Sequence, residues 1–321
     1  MSKHIISQDI FTDEFSLQCK KGNIVKIKVM IKNNNDLNVH IDDDEPLCNA
    51  CENGHLDIVK LLLTTYDPNS FDLRLAFTFA CEMGQLKIIK YFHNNNISVD
   101  AGLNNYENGT SPFMAACGNG KIKTMKFLLK HYDININSTN ELALKLACIH
   151  NQIGAVKFLL NHKNNNININ IDDDCIFRMV CKSGHVHLLT YLLNIKNNNI
   201  NINSRNDQAF RMSCSSGKLD IVKLLLNIVN NNININSMNN FAFHEACKNG
   251  HVNVSTFLLQ IPCNKINIHN EDTIRQICIK RSLNIAKFFC SIDDRYYAVT
   301  QIFNKSNRNC ELLIDFGINY A

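Results

Sequence analysis

The sequence of 321 residues predicts an all-α fold, an α-solenoid of stacked helix-turn-helix repeats carrying short β-turn fingers. Three periodicities lead to that prediction. Cys19, Cys51, Cys81, Cys117, Cys148, Cys181, Cys214, Cys247 and Cys278 recur at intervals of 30 to 36 residues. Most are followed three residues later by glycine: Gly22, Gly54, Gly84, Gly120, Gly184, Gly217 and Gly250. KNNNININ at Lys163–Asn170 returns at Lys196–Asn203 and, as VNNNININ, at Val229–Asn236, each time after 33 residues. Asparagine filler has no reason to keep a period, so these segments belong to the fold.

Each element follows from the local pattern. Segments such as PLCNAC (Pro46–Cys51) and AFRMSC (Ala209–Cys214) read as a first helix that runs into the glycine. There the chain needs φ > 0, which glycine adopts without a Cβ penalty. Asn151 and Arg281 take the glycine's place once each, and asparagine tolerates that conformation better than arginine. After the glycine, HLDIVKLLL (His55–Leu63) and HVHLLTYLL (His185–Leu193) have the apolar spacing of a second helix. Ile167, Ile169, Ile200, Ile202, Ile233 and Ile235 alternate with asparagine, as in an extended segment with one buried side. The asparagine triplets before them read as solvated loop. A pair of short helices cannot bury its apolar faces alone, so neighbouring pairs must stack. Residues 1–321 then form one repeat domain of about nine repeats, with 1–32 a divergent first repeat and 293–321 a degenerate cap.

With 45% hydrophobic and 19% charged residues the chain can build a large core. A formal charge of +4 implies no strong field for nucleic acid or an anionic membrane. MSKHIISQDIFTDEF lacks an apolar leader core and no run of 18 apolar residues occurs, so a soluble cytoplasmic protein with no membrane partner is expected. One cysteine per period is a packing position, a small hydrophobe at a close helix contact, rather than a disulfide or metal framework.

EPLCNACENGHLDIVKLLL (Glu45–Leu63), SPFMAACGNGKIKTMKFLL (Ser111–Leu129) and FAFHEACKNGHVNVSTFLL (Phe241–Leu259) resemble the ankyrin repeat pattern TPLHxAAxxGHxxIVxLLL. The resemblance spans nearly the whole chain. It implies that the ININ segments stand where the family's finger loop begins, and that His55, His185 and His251, after the turn glycine, are structural. The asparagine bias resembles arrays from giant DNA viruses of amoebae or AT-rich protists, which would place a viral protein in the host cytoplasm.

Further departures from the pattern fall in the first helix. Proline starts it only at Pro46 and Pro112, and the family histidine remains only at His244. Four repeats instead carry an acid four residues before a base: Glu141 with Lys145, Asp174 with Arg178, Asp207 with Arg211, and Glu271 with Arg275. Read as exposed ion pairs bracing the helix start, each contributes about 0.3 to 0.5 kcal/mol. Asp207→Asn should then cost well under about 1 kcal/mol.

No catalytic or metal arrangement survives inspection, and no cofactor is implied. Cys48 and Cys51 form a lone C-x2-C without a second pair. His244 with Cys263 fails the deaminase pattern because Ile266 stands at the second cysteine. Gly118, Gly120 and Lys121 lack the rest of a P-loop. A lysine ladder, Lys28, Lys60, Lys90, Lys126, Lys157, Lys223 and Lys287, with Thr190 and Thr256 at the gaps, reads as a solvated outer face without aromatic interleaving.

The resemblance implies a non-catalytic, monomeric scaffold that binds an unidentified protein partner on its concave face. The candidate contacts follow each phased cysteine: Glu52, Asn53, Glu82, Met83, Asn119, His150, Lys182, Ser183, Ser215, Ser216, Lys248 and Asn249. They are mixed in chemistry and name no target. Alternatives are a ubiquitin-ligase substrate adaptor, for which no F-box-like helix set is found, or a substrate or sink for asparaginyl hydroxylation at Asn137, Asn170, Asn203 and Asn236.

Overall fold

The computed structural model describes residues 2–34, 37–97, 99, 111–163, 166–196, 198–228 and 232–262, together with 266, 287 and 291, and the backbone alone for 2–10, 138 and 139. The repeat around Cys278, the Glu271 and Arg275 pair, Arg281 and the cap 293–321 lie outside the described residues. The chain divides into two compact units, Met1–Asn168 and Ile169–Ala321.

The first unit pairs α1 (Ser2–Lys21) with α2 (Ile24–Asn33), α3 (Glu45–Asn53) with α4 (Leu56–Thr65), and α5 (Leu73–Met83) with α6 (Leu86–Asn94). It continues with α7 (Pro112–Gly118) and α8 (Ile122–His131), then α9 (Ser138–Ile149) and α10 (Ile153–Leu160). In the second unit α11 (Ile171–Ser183) pairs with α12 (Val186–Leu193), α13 (Ser204–Ser215) with α14 (Leu219–Leu226), and α15 (Ser237–Lys248) with α16 (Val252–Gln260). The described residues contain no strand. Within each unit the odd-numbered helices pack side by side as an inner row, and each also packs on its own even-numbered partner.

The phased cysteines supply that inner contact. Cys19, Cys51, Cys81, Cys117, Cys148, Cys181, Cys214 and Cys247 are fully buried free thiols. Burial pushes Cys19, Cys148 and Cys247 up to about 12 and holds the others high as well, so the ladder stays protonated. Four residues before the cysteine, Phe15, Leu47, Phe77, Phe113, Leu144, Phe177, Phe210 and Phe243 form a second buried row, which the sequence reading did not single out. Each such side chain is worth about 1.5 to 3 kcal/mol of burial relative to exposure. The turn glycines all have positive φ, and Asn151 at φ 57° joins them.

The fingers carry the expected β-turn, closed by Ser204 N–H to Asn201 O at 3.1 Å and Ser237 N–H to Asn234 O at 2.9 Å, and a left-handed turn follows it. Asp172–Asp174, Arg205–Asp207 and Met238–Asn240 are three successive residues near φ 51° to 63° that lead directly into the inner helix. Asparagine and aspartate enter this region at small cost; Arg205 and Met238 pay about 1 to 2 kcal/mol each, so the turn must be held from outside. It is closed by Asp174 N–H to Asn170 O at 3.2 Å, Asp207 N–H to Asn203 O at 3.2 Å, and Asn240 N–H to Asn236 O at 3.1 Å.

This turn corrects the ion-pair expectation. Arg178 donates to the carbonyls of Asp172, at 3.0 Å, and Asp173. Arg211 donates from Nε to Asn206 O at 2.8 Å and from Nη2 to Arg205 O at 2.9 Å. The acids face elsewhere: Asp174 and Asp207 are buried, accept Nδ2 of Asn170 and Asn203 at 2.6 Å, and accept a backbone N–H of the next repeat. Acid and base therefore brace the turn separately, and neither is an exposed pair. Glu141 is likewise buried and accepts Asn168 N–H at 3.2 Å.

The asparagine-rich links are also engaged. Ile167, Ile169, Ile200, Ile202, Ile233 and Ile235 are half-buried, while Asn168, Asn201 and Asn234 between them are exposed. Asn198 departs from the solvated-loop reading: its Nδ2 donates to Leu193 O at 2.9 Å and Leu192 O at 3.2 Å, capping α12, and its Oδ1 accepts Ile200 N–H at 3.0 Å.

Candidate partner-binding face

The twelve candidate residues all lie where inner helices end, because each follows the buried cysteine of its helix. Glu52 and Asn53 close α3, Glu82 and Met83 close α5, and Asn119 and His150 cap α7 and α9. In the second unit Lys182 and Ser183 close α11, Ser215 and Ser216 end α13, and Lys248 and Asn249 end α15.

They divide by what already holds them. Asn53 Nδ2 donates to Asn49 O at 2.9 Å, and Asn119 Nδ2 to Ala115 O at 3.1 Å, so both cap their own helices. His150 Nδ1 lies 3.1 Å from Gly118 O. Asn249 Nδ2 donates to Ser215 O at 2.9 Å and Oγ at 3.1 Å, and Lys248 pairs with Glu245 at 3.0 Å. Glu52, Glu82, Met83, Lys182, Ser183 and Ser216 keep side chains without a hydrogen bond or ion pair among the described residues. Those that carry charge sort by unit: Glu52 and Glu82 in the first, Lys182 in the second.

The residue after the turn glycine locks neighbouring turns. His55 Nε2 lies 3.0 Å from Lys20 O, Gln85 Nε2 donates to Glu52 O at 2.8 Å, and His251 Nε2 lies 3.1 Å from Ser215 O. His55 and His251 are structural, as the resemblance implied.

Beside the candidate residues, the second unit has a hollow of about 250 Å³ between α11, α13 and α15. Lys182, Gln208, Arg211, Met212, Ser216 and Phe241 line it, with Ser215. Gln208 Oε1 is buried and has no hydrogen-bond partner among the described residues. The Arg211 guanidinium lies 5.3 Å from the centroid of Phe241, an exposed ring. The sequence carried no periodic signal for this hollow, since Gln208 and Phe241 occupy a position that changes in every repeat.

The opposite face bears the lysine ladder, with Lys28, Lys60, Lys90, Lys126, Lys157, Lys223 and Lys287 all exposed. Aromatic rings do interleave with it, contrary to the sequence reading. Lys60 lies 5.5 Å from the Tyr91 centroid, Lys126 5.9 Å from Phe158, and Lys223 5.5 Å from Phe257. Each ring belongs to the following repeat and is half-buried, so the lysines are laid on the stack as cation–π contacts.

Of the asparagines considered for modification, Asn170 and Asn203 are tied to Asp174 and Asp207, and Asn137 Oδ1 is buried without a hydrogen-bond partner. Cys48, beside Asp44, is pushed up to about 12, chiefly by burial. Among the described residues no group of three or more His, Cys, Asp or Glu is placed to hold a metal ion, and no helix is long and apolar enough to cross a membrane.

The family model described as ankyrin repeats, in three copies, matches residues 15–102, 77–173 and 176–272. No curated protein matches the sequence.

Proposed function

We propose, because the chain belongs to the ankyrin repeat family, that it is a non-catalytic scaffold that binds a partner protein on its inner-helix face. Ankyrin repeats are protein–protein interaction modules, and stacked repeats offer a surface that recurs from one repeat to the next. The observation that supports this face is the division of its side chains. Glu52, Glu82, Met83, Lys182 and Ser216 have side chains without a hydrogen bond or ion pair among the described residues, whereas Lys60, Lys126 and Lys223 on the second helices rest on rings of their own stack. The buried thiols, held protonated, are packing groups and not nucleophiles.

Site-specific photo-crosslinking in the cell that makes the protein tests the reading. A photoreactive residue at position 83 or 216 should capture the same partner, identified by mass spectrometry, and one at position 90 or 223 should not. Capture from 90 and 223 alone would place binding on the lysine face and end this reading.

A further inference from the structure

The hollow in the second unit deepens that reading, on which it rests, because its lining specifies a ligand. Two cations reach it. Lys182 is exposed and has no ion-pair partner among the described residues. Arg211 is fixed by its bonds to the carbonyls of Asn206 and Arg205 and by the Phe241 ring, and its Nη1 makes no hydrogen bond among the described residues. A guanidinium held this way loses little freedom on meeting an anion. No acid among the described residues lines the hollow. The carboxylates nearest in sequence are occupied, Asp207 by Asn203 and Asn234, and Glu245 by Lys248.

Charge is one of three requirements. Gln208 lines the hollow and its Oε1 has no hydrogen-bond partner among the described residues, so once the side chain turns toward the opening a ligand N–H can satisfy it. Met212 and the exposed Phe241 offer apolar surface beside it. An anion, an adjacent N–H and an adjacent apolar group together describe an acidic residue within a peptide chain. The size agrees: about 250 Å³ falls below the 300 to 1,000 Å³ of small-molecule pockets and suits one side chain with its flanking backbone. A polyanion fits less well, because the basic row does not continue. Ser215 stands between Lys182 and Lys248, and Lys248 is neutralised by Glu245.

We propose that this hollow binds an extended acidic segment of the partner. An aspartate or glutamate carboxylate sits between Lys182 and Arg211, a neighbouring amide N–H donates to Gln208 Oε1, and an adjacent apolar side chain packs on Phe241 and Met212.

Random dodecapeptides displayed on phage and selected on the full chain test this. The selected peptides should share an Asp or Glu next to an apolar residue. A fluorescein-labelled copy of one should lose at least about tenfold in affinity with K182E or when its acid is changed to the amide, and several-fold with Q208L. Arg211 braces a turn, so these two variants, checked for an unchanged unfolding midpoint, carry the test. Selected peptides without an acid, a phosphoserine counterpart that binds more tightly than the acidic one, or affinities within about twofold in both variants would overturn the assignment. Peptides lost on E52K with E82K but not on K182E would overturn the acidic-segment assignment and keep the inner face. Peptides lost only on neutralising Lys90 and Lys223 would overturn both.

Discussion

Oδ2 of Asp174 accepts the backbone N–H of Asn201 at 3.1 Å, across 27 residues of sequence. Asp207 and Asn234 repeat the bond at 3.1 Å, and Glu141 and Asn168 at 3.2 Å. Each acid ends a left-handed turn or stands in its place, and each N–H belongs to the first ININ asparagine of the next repeat. The bond thus ties successive repeats at the finger, while cysteine and phenylalanine tie them at the core.

Asp207→Ala should cost about 2 kcal/mol, since it strands the Asn234 N–H and the Asn203 amide and frees the left-handed turn. Asp207→Asn should cost less, because an amide oxygen can still accept from Asn234. Urea unfolding measures both. A loss below about 0.5 kcal/mol for the alanine variant would mean that water replaces the bond and that the turn holds itself.

Glu141 behaves differently from the aspartates because burial raises its carboxyl above the usual range, against the Asn168 hydrogen bond and Lys145, and its Oε2 has no hydrogen-bond partner. A raised folded-state value means that the folded protein holds the proton more tightly than the unfolded chain. Its contribution is full below the unfolded value of about 4.3 and is lost as pH rises through the folded one. Glu141→Gln should therefore be at least as stable as the native protein at pH 7, and the native protein should gain on the variant as pH is lowered. Stability curves of the two between pH 4 and pH 8 that run parallel would refute this.

The eight described ladder thiols should resist alkylation in the native protein, with Cys175, half-buried, modified before them. Burial both blocks access and suppresses the thiolate, the reactive form. Mass mapping after brief iodoacetamide treatment reads the order. Early modification of Cys181 or Cys214 would show that the inner contact opens.

Gly217→Ala should cost about 1 to 2 kcal/mol, since φ is +69° and the new Cβ would clash with the His251 ring at Nδ1. The same substitution should cost less in a His251→Ala background, where the clash is gone and only the backbone term remains. Additive losses in the double-mutant cycle would show that His251 yields freely.

The repeat was legible because it is written redundantly. Cysteine, glycine and ININ each keep the period, and the structure places all three at contacts between repeats. The phenylalanine row was present but hidden, because Leu47 and Leu144 interrupt it. What Asp174 and Arg178 do was misread for a physical reason: helical spacing put them four apart, but Asp174 is left-handed and its carboxylate is directed to the next repeat. A run of Asn and Asp immediately before a helix was the available signal for that turn. The ring contacts of Lys60, Lys126 and Lys223 were missed because each ring lies one whole repeat away. The hollow was not legible at all, as it depends on the side chains of three repeats meeting at non-periodic positions.

The central claim, that the inner face binds a protein, is tested most directly by measuring the affinity of the crosslinked partner for two variants of the full chain. One changes Glu52, Glu82, Lys182 and Lys248 together; the other neutralises Lys60, Lys90, Lys157 and Lys223. Unfolding midpoints are recorded beside the affinities, because Lys248 is paired and Lys60 and Lys223 rest on rings. The inner set should weaken binding by at least about tenfold beyond any stability change, and the outer set should leave it within about threefold. Binding abolished by the outer set, with a steep dependence on salt, would contradict the account and indicate an anionic ligand on the lysine face.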